Sequence, residues 1–206
     1  MKIDPATLNR HQLHDLIDHA IAPLPIALIS TIGPDGIHNV APFSFVTPVC
    51  SKPPVLCVSF GLRQTGKKDT QRNIEFTHDF VINVVDESLI GKAVQASTDY
   101  PPEVNEFKEV GLTAVESEKV KSPRVAESKV SLECRLVQKL ELIEELLVGK
   151  GLIGIVFGEV ILAHVKDEVL VNGQIDPSRL GAIGRLGSEM YLGPKGIFTL
   201  KRSRPQ

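Results

Sequence analysis

The sequence predicts a mainly β protein with flanking helices, built on an antiparallel sheet of the barrel type. The first observation is an early hairpin, in which strand Pro25–Ile32 and strand Ile37–Val46 flank a glycine-rich turn. A hairpin this early favours a meander or barrel over alternating strands and helices. The second is a pair of long strands, 129–143 and 152–166, joined through 144–151. Strands of that length suit a coiled barrel sheet.

The other elements follow from periodicity and from turn residues. Thr47–Pro54 is rich in proline and is expected to be a turn. The segment Ser97–Ser128 has poor periodicity and is too long for an ordinary connection, so we expect it to fold over something. The remaining predicted elements are a helix over Ala6–Asp18, a strand over Val55–Phe60, a helix over Asp69–Thr77, an apolar strand over Asp79–Val85, a helix over Glu87–Ala96, a turn at Asn172-Gly173 and a last strand at Ile197–Leu200.

Composition restricts the classes of function. The chain has 206 residues, of which 42% are hydrophobic, and we expect one domain over 1–206, with its core at about 20–166 and a loop-rich tail over 167–206. A net charge of −2 and 5% aromatic residues argue against a nucleic-acid partner. We find no apolar run of membrane-spanning length and no signal core, so a cytoplasmic protein without a membrane partner is expected. The three cysteines show no zinc-site spacing.

One candidate site is a nucleoside-triphosphate loop. Gly61–Lys68 matches the pattern G-x-x-x-x-G-K between a strand and a helix, and Asp86 ends the next apolar strand. Such a loop needs a serine or threonine hydroxyl for Mg²⁺ after its lysine, and this chain has Lys68 there instead. The early hairpin also removes the parallel sheet that these enzymes use.

The same loop could instead hold one phosphate without a metal. Lys67 and Lys68 supply positive charge, while Thr70 and Asn73 lie three residues apart on the first helical turn. Free backbone N–H groups and the helix dipole favour an anion at this position. Asp69 would repel a phosphate, and we expect it to point aside as the helix N-cap. The alternative, a capped surface helix with solvated lysines, remains open.

A third candidate surrounds a proline inside an apolar strand. Pro42 interrupts the ladder of the strand, which implies a sheet edge or bulge where backbone groups can bond a ligand. Asn39 and Ser44 add polar contacts beside it. The alternative is an irregular barrel corner. Together with the loop at Lys68, this arrangement suits an anionic, flat, partly apolar ligand.

Several motifs, taken in order, resemble the flavin reductase-like family of FMN-binding split barrels. The resemblance covers roughly residues 20 to 192, and relatives often carry arginine where this chain has Leu24. It implies an antiparallel split β-barrel of the FMN-binding type and a homodimer with FMN near the subunit interface. The motifs that carry it are Pro25–Thr31, Asn39–Phe45, Pro53-Pro54, Ser59-Phe60-Gly61, Lys68–Ile74, Glu127-Ser128, Leu132–Cys134, Gly158–Val160 and Gly184–Gly187.

The resemblance also implies an activity and a set of contacts. The implied activity is hydride transfer from NAD(P)H to flavin, which needs no catalytic acid–base pair, nucleophile or metal. A flavin-binding electron carrier without its own NAD(P)H turnover is the alternative, and oxidation of a pyridoxal-type phosphate or a flavin-free barrel is more remote. The implied flavin contacts are Pro42, Phe43 and Ser44 at the ring; Ser59, Phe60 and Gly61 at the ring or ribityl chain; Lys68, Thr70 and Asn73 at the phosphate; and Arg185 and Tyr191 from the tail. We add Asn39 and Asp69, which border the same positions.

Overall fold

A computed structural model describes residues 1–61, 66–142, 153–187 and 189–194. The helices are α1 (Arg10–Ile21), α2 (Asp69–Thr77), α3 (Ile90–Gln95), α4 (Glu106–Glu109) and α5 (Pro177–Leu180). The strands are β1 (Leu24–Pro25), β2 (Ala27–Ile32), β3 (His38–Phe43), β4 (Val46–Ser51), β5 (Pro54–Phe60), β6 (Asp79–Val84), β7 (Ala114–Val115), β8 (Arg124–Val125), β9 (Val130–Leu142), β10 (Ile153–Val165), β11 (Leu170–Val171), β12 (Gln174–Ile175), β13 (Gly184–Arg185) and β14 (Tyr191–Leu192).

One curled antiparallel sheet dominates the fold. Within the described residues it has seven strands, in the order β3-β2-β6-β9-β10-β5-β4. Its two edge strands, β3 and β4, are consecutive in sequence, so the chain itself links the two edges. The backbone N–H of Ser59 donates to the carbonyl of Phe45 at 2.9 Å, which extends the pairing of β5 with β4 into this link. The predicted mainly β, antiparallel fold is confirmed.

Two apolar cores lie on opposite faces of this sheet. Leu28 and Ile29 are consecutive in β2 and belong to different cores, because neighbouring residues of a strand face opposite sides. One core includes Phe60 and Phe80 on the inner face of the curled sheet. The other includes Phe107, contributed by α4, on the outer face. The predicted strand β6 is buried along most of its length, as its apolar sequence indicates.

Gly158 in β10 makes the inner core possible. A Cβ atom at this position would lie 2.4 Å from Cζ of Phe80, whose side chain is fully buried. We therefore expect Gly158→Ala to force a shift of the ring and to lower the free energy of unfolding by about 1–3 kcal/mol. Urea denaturation measures the change.

The matched control is Gly91→Ala, because a Cβ at Gly91 in α3 meets nothing within 4 Å. Alanine there should leave stability unchanged or raise it slightly, since glycine is a poor helix former. Equal unfolding midpoints for Gly158→Ala and the wild type would contradict the packing described for β10.

Three predicted elements differ from the structure. The predicted turn at 47–54 is mostly the strand β4, because an edge strand tolerates Pro48 with a register shift between Pro48 and Cys50. The first helix begins at Arg10 rather than Ala6, since Asn9 and Gln12 form a capping box. The third helix begins at Ile90 rather than Glu87, and the turn before it is held by the Asp86 carboxylate, which accepts from the backbone N–H groups of Ser88 and Leu89. The connection expected over 144–151 and the strand expected over 197–200 lie outside the described residues.

The long segment Ser97–Ser128 between α3 and β9, which we call the excursion, wraps over the outer core. Its helix α4 packs on β3, and Phe107, Val110 and Leu112 complete the outer core. Further along, the Asp79 carboxylate accepts from the backbone N–H groups of Lys121 and Ser122 at 3.0 and 3.1 Å. The excursion is therefore a wall of the molecule rather than a connection. In the part of the chain described, no helix combines the length and apolarity that crossing a bilayer requires.

Candidate functional site

Two clefts follow one another along the edge strand β3. They share Pro42 and Ser97, and they place residues from four distant parts of the sequence side by side. We call them the tail cleft and the loop cleft. The tail cleft is lined by Ile26, Pro42, Ser44, Ile90, Ala93, Val94, Ser97, Arg185 and Tyr191. The loop cleft is lined by Asn39, Ala41, Pro42, Lys68, Asp69, Thr70, Ala96, Ser97, Thr98, Asp99, Tyr100 and Glu106.

The tail cleft offers mainly apolar walls with a few polar groups. It has a volume of about 550 Å³, including its open mouth. The side of α3 supplies Ala93 and Val94, and β3 ends beside it at Phe43, directly before Ser44. Arg185 and Tyr191 arrive from the tail as paired residues of β13 and β14. Apolar walls with one cation and hydroxyl groups can hold a flat, partly polar ring.

The loop cleft is polar, and its lining holds one cation, Lys68, together with the acidic residues Asp69, Asp99 and Glu106. Lys68 is the N-cap of α2, and its Nζ lies 5.3 Å from the centroid of the Phe43 ring, a cation–π contact. The hydroxyl residues Ser97 and Thr98 follow α3 and line the same cleft. The first residues of α2 line this cleft, so the positive end of the α2 dipole lies at it. No side chain of the N-cap hydrogen-bonds to the helix there. These groups can hold an anion.

A buried hydrogen-bond network closes the floor of the loop cleft. Thr70 Oγ1 and Thr31 Oγ1 both donate to Asn39 Oδ1, at 2.9 and 3.1 Å. The Asn39 amide nitrogen in turn donates to the carboxylate of Glu106, which also accepts from the N–H of Val40 at 2.7 Å. A hydroxyl has a single proton to donate, so the side chain of Thr70 is committed to Asn39. An anion in this cleft would therefore meet the backbone N–H of the first helical turn before the Thr70 hydroxyl.

Asn73 lies on the far side of that network, while Asp69 lines both the loop cleft and the cleft beyond it. The Asn73 amide nitrogen donates to Thr31 Oγ1 at 3.1 Å, and Asn73 lines a separate cleft with Phe76 rather than the loop cleft. Asp69 was expected to be the N-cap, but that position belongs to Lys68. Its carboxylate instead pairs with Arg72 on the same helix, which draws its charge aside. Asn73 therefore shares the buried network with Thr70 but does not line the loop cleft with Lys68.

The two neighbouring lysines have different surroundings. The Nζ of Lys67 lies 2.8 Å from a carboxylate oxygen of Glu75 and also pairs with Glu141. Partial burial acts against the charged form, but the hydrogen bonds from these carboxylates outweigh it and raise the pKa of Lys67. The pKa of Glu75 is lowered by the same contact, against the effect of its own burial. Lys67 therefore belongs to a surface charge network, and Lys68 is the lysine at the cleft.

The remaining predicted contacts are distributed unevenly. Phe43 packs edge-on against Phe60 with ring centroids 5.0 Å apart, and the Phe60 side chain is fully buried in the inner core. Ser59 is a neighbour of Phe45 through its backbone N–H, and Gly61 is exposed at the end of β5. Ser59, Phe60 and Gly61 line neither cleft. Their contact with a ligand stays a prediction.

The structure argues against a nucleoside-triphosphate loop at 61–68. Residues 62–65 lie outside the described residues, but the strands on either side, β5 and β6, belong to an antiparallel sheet. Such loops need a parallel sheet, and Lys67 is already paired with two carboxylates. Among the described residues we find no group of three or more His, Cys, Asp or Glu side chains that could hold a metal ion.

Sequence reasoning missed two groups at the site. One is the run Ser97–Tyr100, which lines the loop cleft together with Lys68; three consecutive polar residues after a helix were the available signal. The other is Asp18 of α1, a buried carboxylate that pairs with Arg185 although 167 positions separate them. Nothing in the local sequence connects those two residues.

Comparison with known proteins gives a consistent result. A family model described as "Flavin reductase like domain" matches residues 20–177. An uncharacterized protein of Aquifex aeolicus is 39% identical over 191 residues, covering 92% of this chain and 93% of the relative. The crystal structure of nitrilotriacetate monooxygenase component B from Bacillus cereus is 28% identical, with a TM-score of 0.91 over 97% of this chain and 98% of that one. Flavoredoxin of Desulfovibrio vulgaris shares the fold, with a TM-score of 0.75 at 22% identity over 98% and 97% of the two chains.

Proposed function

Because this chain belongs to the flavin reductase-like family, we propose that it binds FMN along β3 and transfers hydride from NAD(P)H to the flavin. One observation carries the proposal: a polar cleft with a lysine at the N-terminus of α2 and a cleft with apolar walls adjoin through Pro42 and Ser97. FMN has the matching division, with a phosphate at one end and a flat ring at the other. The flavin supplies the hydride chemistry, and the protein supplies binding and orientation.

The donor groups present fit this cofactor. In the proposed complex the phosphate lies in the loop cleft, held by Lys68, by the Thr98 hydroxyl and by the N-terminus of α2. The Ser97 hydroxyl already donates to the carbonyl of Val94 at 2.6 Å, so it is not counted as a donor to the phosphate. The ring lies in the tail cleft against Pro42 and Ser44. From Asn39 to Ser44 the chain advances five residues, or roughly 17 Å at about 3.3 Å per residue, which suits an extended FMN molecule.

The position of β3 at the sheet edge supports the ring contacts. An edge strand presents backbone N–H and C=O groups that a neighbouring strand would otherwise use. Pro42 lies in this strand, paired with Leu28 of β2, and the backbone near it can bond the polar edge of a ring. These residues would bind and orient the ring. The guanidinium of Arg185 lies at the same cleft, and its positive charge favours a ligand that carries negative charge there.

We also propose a homodimer that covers the ring end of the groove. Exposed apolar side chains lie in the lining of the tail cleft or next to it in the chain, and a contiguous apolar patch of this kind marks an interface. Val94 and Tyr191 belong to the lining, while Phe45 follows Ser44 and Leu192 follows Tyr191. A second copy packed on this face would exclude water from the ring. Sedimentation equilibrium of the purified protein tests this part independently of flavin binding.

The activity is tested by anaerobic mixing of the protein with FMN and a pyridine nucleotide. FMN should bind and give an absorbance band near ~450 nm, a property of the flavin itself. Excess NADH or NADPH should then bleach that band, with repeated turnover when a further electron acceptor is present. Binding of FMN without bleaching by either nucleotide would identify an electron carrier instead. Absence of FMN binding at micromolar concentrations would overturn the proposal as a whole.

A further inference from the structure

A carboxylate on the N-terminal helix is tied to the arginine of the tail cleft. Asp18 lies near the end of α1 and is 1% exposed. Its Oδ2 pairs with Nη2 of Arg185, while Nε of Arg185 donates to the carbonyl of Gly187 at 2.7 Å. The guanidinium is thus held from two sides, and Arg185 lines the tail cleft together with Pro42. Its orientation depends on a residue that does not line the cleft itself.

Burying the Asp18 carboxylate at this position costs free energy. Its other oxygen, Oδ1, is buried and has no hydrogen-bond partner within the described residues. His14 Nδ1 lies 3.4 Å from Oδ2, so both nearby polar contacts fall on the same oxygen. A buried charge costs free energy unless a partner compensates it, and an unpartnered buried oxygen adds to that cost. Arg185 is the compensating partner, which indicates that the charge pair itself has a role.

We propose that Asp18 is a positioning residue that orients Arg185 and offsets part of its positive charge, and thereby sets how strongly the site prefers reduced over oxidised FMN. The inference rests on the proposed function, because it requires the flavin ring to lie in the tail cleft. Reduction adds negative charge to a flavin. A cation beside the ring favours the reduced form by Coulomb attraction, and a carboxylate bound to that cation weakens the preference.

The experiment compares the affinities of two redox states of FMN. The variant Asp18→Asn keeps the size of the side chain and an acceptor for Arg185 but removes the charge. We expect the ratio of the dissociation constants of oxidised and reduced FMN to rise about tenfold, the effect that one neighbouring charge has on an ionisable group. For a two-electron couple this equals a potential about 30 mV more positive, measured by equilibration with a reference dye.

Two further variants complete the design. Asp15→Asn is the matched control, since Asp15 lies one turn earlier on α1, is partly exposed and pairs with His11 at 3.0 Å. It should leave the ratio unchanged. Arg185→Gln removes the cation and should move the ratio in the opposite direction from Asp18→Asn.

Three results would overturn the inference. They are a ratio within twofold of the wild type for Asp18→Asn, an equal change for Asp15→Asn, and a ratio for Arg185→Gln that rises or stays within twofold of the wild type. The last of these can be measured even if the Asp18 variant does not fold. Failure of the wild-type protein to bind FMN would instead contradict the proposed function, so the two failures are distinguishable.

Discussion

Replacing Lys68 by alanine is expected to weaken FMN binding roughly tenfold to a hundredfold. The reason is that Lys68 lines the loop cleft, where the Phe43 ring holds its ammonium group at 5.3 Å from the ring centroid. A hydrogen bond to a charged group contributes about 1.5–3 kcal/mol, which corresponds to this range of affinity. Fluorescence titration of FMN with the purified variant measures the change.

The neighbouring lysine provides the control for this experiment. Lys67→Ala removes the same charge one residue earlier, but the Lys67 ammonium is bonded to Glu75 and Glu141 on the surface. FMN affinity should therefore stay within about twofold of the wild type, while stability falls by no more than about 1 kcal/mol. Equal losses of affinity in both variants would show that the phosphate responds to general positive charge, and the assignment of Lys68 would be wrong.

The arrangement of the loop cleft also changes what Thr70 and Asn73 are expected to do. Sequence spacing correctly placed both residues on one face of the first turn of α2, because helical residues three apart share a face. Spacing cannot show that this face is turned toward the sheet, where Asn39 and Thr31 take their hydrogen bonds. Truncating either side chain would therefore act on FMN through the network beneath the cleft rather than by loss of a direct donor.

The sequence predicted the fold better than it predicted the residues of the site. Local turn chemistry was sufficient for the first hairpin, in which Gly36 adopts a positive φ of 75° as its turn requires. Alternation alone could not show that the segment around Pro48 forms a strand, because an edge position relaxes the rule against proline. The site depends on long-range pairs such as Asp18 with Arg185, and no local pattern encodes such pairs. The resemblance to a family supplied the remaining contacts.

The wall that covers the outer core is anchored by a second buried carboxylate, Glu133 of β9. Its side chain is fully buried and accepts from the backbone N–H groups of Glu118 and Lys119 at 2.9 and 2.7 Å. His164 of β10 completes the set, with Nε2 at 2.6 Å from Oε1. Burial disfavours the charge, but these hydrogen bonds outweigh that effect and lower the pKa of Glu133. The same carboxylate thus joins the sheet to the excursion.

We expect Glu133→Ala to lower the free energy of unfolding by about 3 kcal/mol or more, because it leaves several buried donors without an acceptor. Urea denaturation at neutral pH measures this loss. The control is Glu168→Ala, since Glu168 is exposed, and surface substitutions are usually within about 0.5 kcal/mol. A loss below about 1 kcal/mol for Glu133→Ala would mean that the excursion is held mainly by its apolar contacts.

The lowered pKa of Glu133 gives the second half of this prediction, a dependence of stability on pH. A carboxylate whose pKa is lower in the folded state contributes stability that is fully present above its unfolded value. That contribution falls as pH drops from the ordinary value of 4.5 through the folded pKa. Glu133→Gln, which cannot titrate, should show a shallower loss of stability below pH 4.5 than the wild type, by up to about 1.4 kcal/mol per pH unit. Parallel curves for the two proteins across that range would contradict the role assigned to the carboxylate.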